Sequence, residues 1–201
     1  MRKVVVVVFV TSLAAAAAGQ SITTLFGGNN QGNAGGGVYF DATVAANPLR
    51  VLSFDVNTTA TAGTPFGFEV YTRPGTYVGF TGSPNGWTLM ATGTGTAAGV
   101  EQPSHVTLAA PFDLAANGVT GMALALIGGP GSAAHRYTNG TGSNQHYQNV
   151  DIALDLGAAS NVLFSGSPFS PRVWNGTIYY SVIPEPAALG LLALGVLLRR
   201  R

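Results

Sequence analysis

The stretch that most constrains this fold is Asp151-Ile152-Ala153-Leu154-Asp155-Leu156, whose large apolar residues recur at every second position. A helix would scatter these side chains round its circumference. A strand places Ile152, Leu154 and Leu156 on one face and both aspartates on the other. The same period recurs in Leu49 to Asn57, where Leu52, Phe54 and Val56 oppose Ser53, Asp55 and Asn57. It recurs again where Phe66, Phe68 and Val70 oppose Gly67, Glu69 and Tyr71. Trp87 to Thr92, Val106 to Ala110 and Met122 to Ile127 extend the series, and no stretch between the chain ends has helical periodicity. The polar Gly19 to Gly37 segment reads as a loose arm or a weak first strand. Asn175-Gly176 between Arg172-Val173-Trp174 and Thr177 to Tyr180 predicts a two-residue hairpin with both turn residues at positive φ. Short strands with Gly- and Pro-rich turns predict an all-β chain. The expected architecture is an antiparallel β-sandwich, a jelly roll being one arrangement that fits.

The two ends read differently. Met1-Arg2-Lys3 is a basic start, Val4 to Val10 is apolar, and small residues from Ala14 to Gly19 offer a cleavage site. That order predicts a signal peptide over residues 1–19, recognised by the Sec machinery. Left uncut, it would tether the protein to the membrane. Residues 20–183 follow, about 165 positions and enough for one domain with a real core. The chain has no cysteine, which excludes disulfides and thiol chemistry. Between the ends, Arg50, Arg73, Arg136 and Arg172 face Asp41, Asp55, Glu69, Glu101, Asp113, Asp151 and Asp155, a net charge of −3. A weakly acidic domain without a basic patch argues against nucleic acid as a partner.

Residues 184–201 run Pro184-Glu185-Pro186, an apolar stretch Ala187 to Leu198, then Arg199-Arg200-Arg201. Pro186 breaks any helix arriving from the domain and suits the first turn of a new one. The apolar run spans about 18 Å as a helix, short against a bilayer core of about 30 Å. The terminal arginines can snorkel, and they belong on the cytoplasmic side of a membrane. A buried helix of the soluble domain fits poorly with an apolar surface all round and three consecutive arginines. In this order the pieces resemble the PEP-CTERM sorting signal: the triplet at Pro184, Glu185 and Pro186, the short helix at Ala187 to Leu198, and the basic end at Arg199, Arg200 and Arg201. The resemblance implies an exported protein of a Gram-negative bacterium that also makes extracellular polysaccharide. It implies a transient stay in the inner membrane and an exosortase as processing partner. It carries no particular activity, and tails of this kind are also described as ice-binding C-terminal domains. A second pattern, Tyr71-Thr72-Arg73-Pro74-Gly75-Thr76-Tyr77-Val78-Gly79-Phe80, then Gly86-Trp87-Thr88-Leu89, then Ser170-Pro171-Arg172-Val173-Trp174-Asn175-Gly176, is similar to one found in other secreted bacterial proteins, several with such a tail.

Chemistry is sparse. His105, His135 and His146 stand in no zinc-site spacing. There is no Gly-x-Ser-x-Gly elbow, and on a strand Ser104 and His105 point to opposite faces. Asp151 and Asp155 would lie about 13 Å apart on one strand face, too wide for a glycosidase pair or joint metal binding. No calcium loop occurs, and neither metal nor cofactor is expected. Thr92-Gly93-Thr94-Gly95-Thr96 puts its threonines on one strand face, a single row where an ice-binding surface needs an array. Asn57, Asn139 and Asn175 begin glycosylation sequons, which arise readily in turns rich in Asn, Gly and Thr. Tyr71, Tyr77 and Tyr137 are the candidate carbohydrate platform, since a ring face suits the C–H face of a sugar. Trp174 is better explained by the core. The expectation is a non-enzymatic protein of the cell surface or extracellular matrix, associated with exopolysaccharide. A carbohydrate-binding module with exposed aromatics is the alternative, ahead of an ice-binding protein or a secreted hydrolase.

Overall fold

The computed structural model describes residues 19–128 and 133–184. The expected leader up to Ala18 and the tail from Glu185 to Arg201, including Pro186, Arg199, Arg200 and Arg201, lie outside the described residues. Within the described residues the chain is all-β, with no helix. In chain order the strands are β1 (Gln20–Thr23), β2 (Asn30–Gln31), β3 (Gly37–Val44), β4 (Leu49–Val56), β5 (Pro65–Pro74), β6 (Thr88–Thr96) and β7 (Ser104–Leu114). Then come β8 (Val119–Ile127), β9 (Arg136–Asn139), β10 (His146–Gln148), β11 (Ile152–Ser160), β12 (Arg172–Trp174) and β13 (Gly176–Val182). Ten of them form one sheet in the order β1-β13-β4-β7-β6-β5-β8-β3-β11-β10, and β12-β9-β2 form a second. Every strand pair is antiparallel.

The large sheet folds over on itself. Phe54 of β4 packs on Phe68 of β5 with ring centroids 5.2 Å apart, although β7 and β6 lie between those strands. Trp174 stacks on Phe40 at 5.2 Å and meets Phe54 edge-on at 6.2 Å. The two edges also approach. Asn149, just after β10, donates to the Ser21 carbonyl of β1 at 3.2 Å and to the Tyr180 hydroxyl of β13 at 2.8 Å. The result is a sandwich-like, nearly closed sheet whose exposed edges are short, which limits edge-to-edge pairing with other chains.

The inner faces hold the main core: Phe40, Phe54, Phe68, Met122, Leu124, Leu126 and Leu154 are fully buried. Full burial of such a side chain contributes roughly 1.5–3 kcal/mol. The period-two reading places Phe66, Phe68 and Val70 inward, as it does Ile152, Leu154 and Leu156. It fails at Leu52, which is 38% exposed while Val51 and Phe54 point inward. The β4–β7 register shifts there: Val51 pairs with Phe112, and Ser53 with Thr107. A bulge of this kind turns side chains to the other face, and Pro111, which lacks an N–H, sits in the irregular part of β7.

Asn175-Gly176 is not a hairpin turn. β12 pairs with β9, whereas β13 pairs with β1 and β4, so the chain passes from the small sheet to the large one at Asn175. Gly176 is absent from the positive-φ residues. A Cβ there would overlap the Trp174 ring and come 2.5 Å from the Asp55 carbonyl oxygen. The glycine is needed for close approach, and buried Asn175 accepts a hydrogen bond from the Thr138 hydroxyl at 3.1 Å. The N-terminal arm is anchored to the same region, Thr24 donating to the Trp174 carbonyl and Asn57 to the Phe26 carbonyl, both at 2.6 Å.

Candidate functional site

The outward face of the large sheet has two contrasting parts. On the first, Tyr39, Ala123, Ala158 and Phe164 form a second apolar cluster, with Tyr71, Tyr77, Trp87 and Leu163 packed against it. Two loops cover it, residues 75–87 and residues 161–170. Tyr77 lies over Tyr39 with centroids 6.5 Å apart, Tyr71 meets Phe164 edge-on at 5.0 Å, and Trp87 packs on Phe164 at 5.2 Å. Polar groups fix the first loop. The Asp41 carboxylate accepts from the Thr76 hydroxyl at 2.6 Å and the Tyr77 N–H at 2.8 Å, and the Trp87 indole donates to the Phe80 carbonyl at 2.9 Å. Arg73 bonds the Thr76 carbonyl and lies 3.3 Å above the Phe80 ring centre. Gly157 is the extra residue of a β11 bulge, and a Cβ there would overlap the Tyr77 hydroxyl.

This geometry decides where the sequence-predicted platform sits. Tyr71 and Tyr77 share the covered cluster and are half-buried. Burial, then the hydrogen bond and charge of Glu69, push the Tyr71 phenol up to about 12. Tyr137 is elsewhere: it belongs to the main core, 2% exposed, with its hydroxyl on the Gln31 carbonyl at 3.1 Å. A ring so buried offers no face to a sugar, so the three tyrosines form no common surface. The motif from Tyr71 to Trp87 is accounted for by the first loop, a strap across the cluster, and its hydrogen bonds. Pro184, the one described residue of the expected sorting triplet, is exposed beyond β13.

The second part of the outward face is open. Thr92, Thr94 and Thr96 of β6 are exposed in one row. Across β5 the row meets Glu69, Gly67 and Pro65; across β7 Thr94 pairs with Thr107. The threonine row is therefore single. Beside it, Gly67, Thr94, Thr96, His105, Thr107 and Ile127 line an open trough of about 860 Å³. Gly67 lets Ile127 pack closely over it, since a Cβ there would sit 2.8 Å from the Ile127 side chain.

A cluster of ionisable groups borders this trough, and no local pattern in the string announces it. His105 pairs with Asp55 across β7 and β4, its Nδ1 2.8 Å from the carboxylate. The other Asp55 oxygen accepts from the Tyr179 hydroxyl at 2.7 Å. Asp55 is 8% exposed, whereas the His105 side chain is 58% exposed. Because an ionised carboxylate only accepts, Nδ1 carries the proton in this pair. Ser104 points inward, and its hydroxyl accepts from the Ala98 N–H at 3.0 Å. Among the described residues no Ser or Thr hydroxyl bonds His105.

The remaining candidates are held apart. Asp155 bonds His146 at 2.7 Å and Asp151 accepts from Tyr180 at 3.1 Å, each with its own partner. His135 is buried, and that burial pushes its imidazole down to about 4, the Leu124 carbonyl offsetting part of the effect. Among the described residues no three His, Asp or Glu side chains could hold a metal ion together, and no helix is long and apolar enough to cross a membrane. Compared with known proteins, the chain matches no family model, and no curated protein matches it.

Proposed function

We propose that this chain is an exported, non-enzymatic β-domain, delivered to the cell surface or extracellular matrix by its C-terminal tail and associated there with extracellular polysaccharide. The observation that carries this reading is the exposure of Pro184. Among the described residues the last backbone bond runs from the Ile183 N–H to the Pro48 carbonyl at 2.8 Å, and Pro184 just after it is exposed. The Pro184-Glu185-Pro186 triplet thus begins at an exposed position directly after β13, and a membrane-embedded exosortase needs an accessible chain there. On this reading the Sec machinery exports the protein, the membrane holds it transiently, and nucleic acid is no partner.

Strand order supports a jelly roll as the finer description of the sheet. β1-β13-β4-β7 and β6-β5-β8-β3 are two four-stranded runs, the second continued by β11 and β10, with the nested pairs β3–β8, β4–β7 and β5–β6. A His–Asp pair on an open face, with no hydroxyl on the histidine, favours binding over hydrolysis.

Two measurements test the proposal. Intact-mass analysis of the protein from its native host should show loss of Ala187 to Arg201, and Glu185→Ala should hold the protein in the membrane fraction. An exported species still ending at Arg201 contradicts the sorting reading. Incubation with the host polysaccharide should release no reducing sugar, and release would make it a hydrolase.

A further inference from the structure

We propose that the trough beside His105 is the glycan-binding site of this protein and that it takes a neutral, hydroxyl-rich polysaccharide chain. The inference rests on the association with polysaccharide proposed above and names the surface and the ligand chemistry.

The trough's volume of about 860 Å³ lies within the usual range for ligand sites. Its polar lining is three hydroxyls, from Thr94, Thr96 and Thr107, and one imidazole. Each hydroxyl both donates and accepts, and the exposed His105 ring adds a further polar edge. The Asp55 carboxylate, itself fixed by Tyr179, holds the imidazole in orientation before any ligand arrives. Such preorganisation removes part of the ordering cost of binding. Ile127, packed over Gly67, supplies an apolar surface for the C–H face of a sugar ring.

The same lining selects against other ligands. Among the described residues no Lys or Arg borders the trough, and the Asp55 carboxylate is bonded to His105. Uronic acids, phosphates and nucleotides would meet no compensating positive charge. A metal cation would find one carboxylate already engaged twice. Phe66 lines the trough but is buried and offers no exposed ring, so a single chain segment should bind weakly, with Kd on the order of millimolar. Repeated copies of the protein along a polymer would raise the apparent affinity.

The test uses the full-length protein with two probes, a neutral glucan hexasaccharide and a uronic-acid oligomer of equal length. In NMR titration the neutral probe should shift the His105 ring and the Thr94, Thr96 and Thr107 methyls saturably, and the uronic probe should not. Thr94→Val with Thr107→Val, exposed and shape-preserving, should weaken binding about tenfold while leaving the melting temperature unchanged; His105→Ala should also weaken binding. Equal binding of both probes, or shifts confined to residues 71–87, overturns the proposal. Co-sedimentation with the host polysaccharide separates the two readings. Loss in the double variant supports the trough. Undiminished sedimentation of that variant overturns the trough and leaves polysaccharide association standing. Failure of the wild-type protein to sediment overturns both.

Discussion

Two regions share the outward face of one sheet and were finished in opposite ways. Over β3, β8 and β11, Tyr39 and Ala158 are joined by Phe164, Tyr77 and Trp87 and roofed by two loops. Over β5, β6 and β7, Gly67, Thr94 and Thr107 stay open to solvent. The difference follows from side-chain chemistry. A large aromatic left on a sheet exposes apolar area, and a loop that covers it gains the burial energy. Threonine and glycine present little such area and need no cover. Aromatic residues in a β-protein can therefore mark the roofed half of a surface, while the modest half stays available to a ligand.

The largest effect expected from this contrast is at Phe164, the residue of the second loop that closes the aromatic cluster. Phe164→Ala should cost about 3–5 kcal/mol, seen as a lowered denaturation midpoint; a loss under about 1 kcal/mol would mean the roof is not structural. Covered and open histidines should also differ in pH response. His135, buried and pushed down to about 4, remains neutral in the fold but takes a proton when unfolded below about 6.5. Its contribution is present above that value and is lost as pH falls from about 6.5 towards 4, a difference of ~3 kcal/mol. Stability measured against pH should show this slope in wild type and not in His135→Gln. Smaller changes are expected at the two crowded glycines. Gly157→Val would push Tyr77 off Tyr39, and Gly176→Val would press on Trp174; each should cost about 1–3 kcal/mol in thermal unfolding. Near-wild-type melting of Gly157→Val would show that the strap can lift without consequence. Least affected should be Thr94→Val and Thr107→Val, within about 0.5 kcal/mol of wild type.

The strands were legible because period two is a local signal: Phe66, Phe68 and Val70 read correctly from the string alone, as did Ile152, Leu154 and Leu156. Leu52 was misread because a bulge depends on the partner strand, here the irregular stretch of β7 around Pro111. Asn175-Gly176 carried the residues of a tight turn, yet a buried Trp174 and the change of sheet make the glycine a matter of space. The candidate site was less legible still. Asp55, His105 and Tyr179 are far apart in sequence and meet only through the registers of β4 with β7 and β13. Tyr71 and Tyr77 look available in the string, because Phe164, which packs against Tyr71, comes from a distant loop. Tyr137 was misplaced for the opposite reason, its short β9 carrying too few residues to show which face is buried.

The central claim is that the covered aromatics support the fold and the open threonine–histidine trough meets the polysaccharide. Hydroxyl-radical footprinting of the full-length protein, with and without the host polysaccharide, addresses it directly. The account predicts protection at His105 and Ile127, with Tyr71, Tyr77 and Trp87 unchanged. Protection at Tyr77 and Trp87 with none at His105 would contradict it.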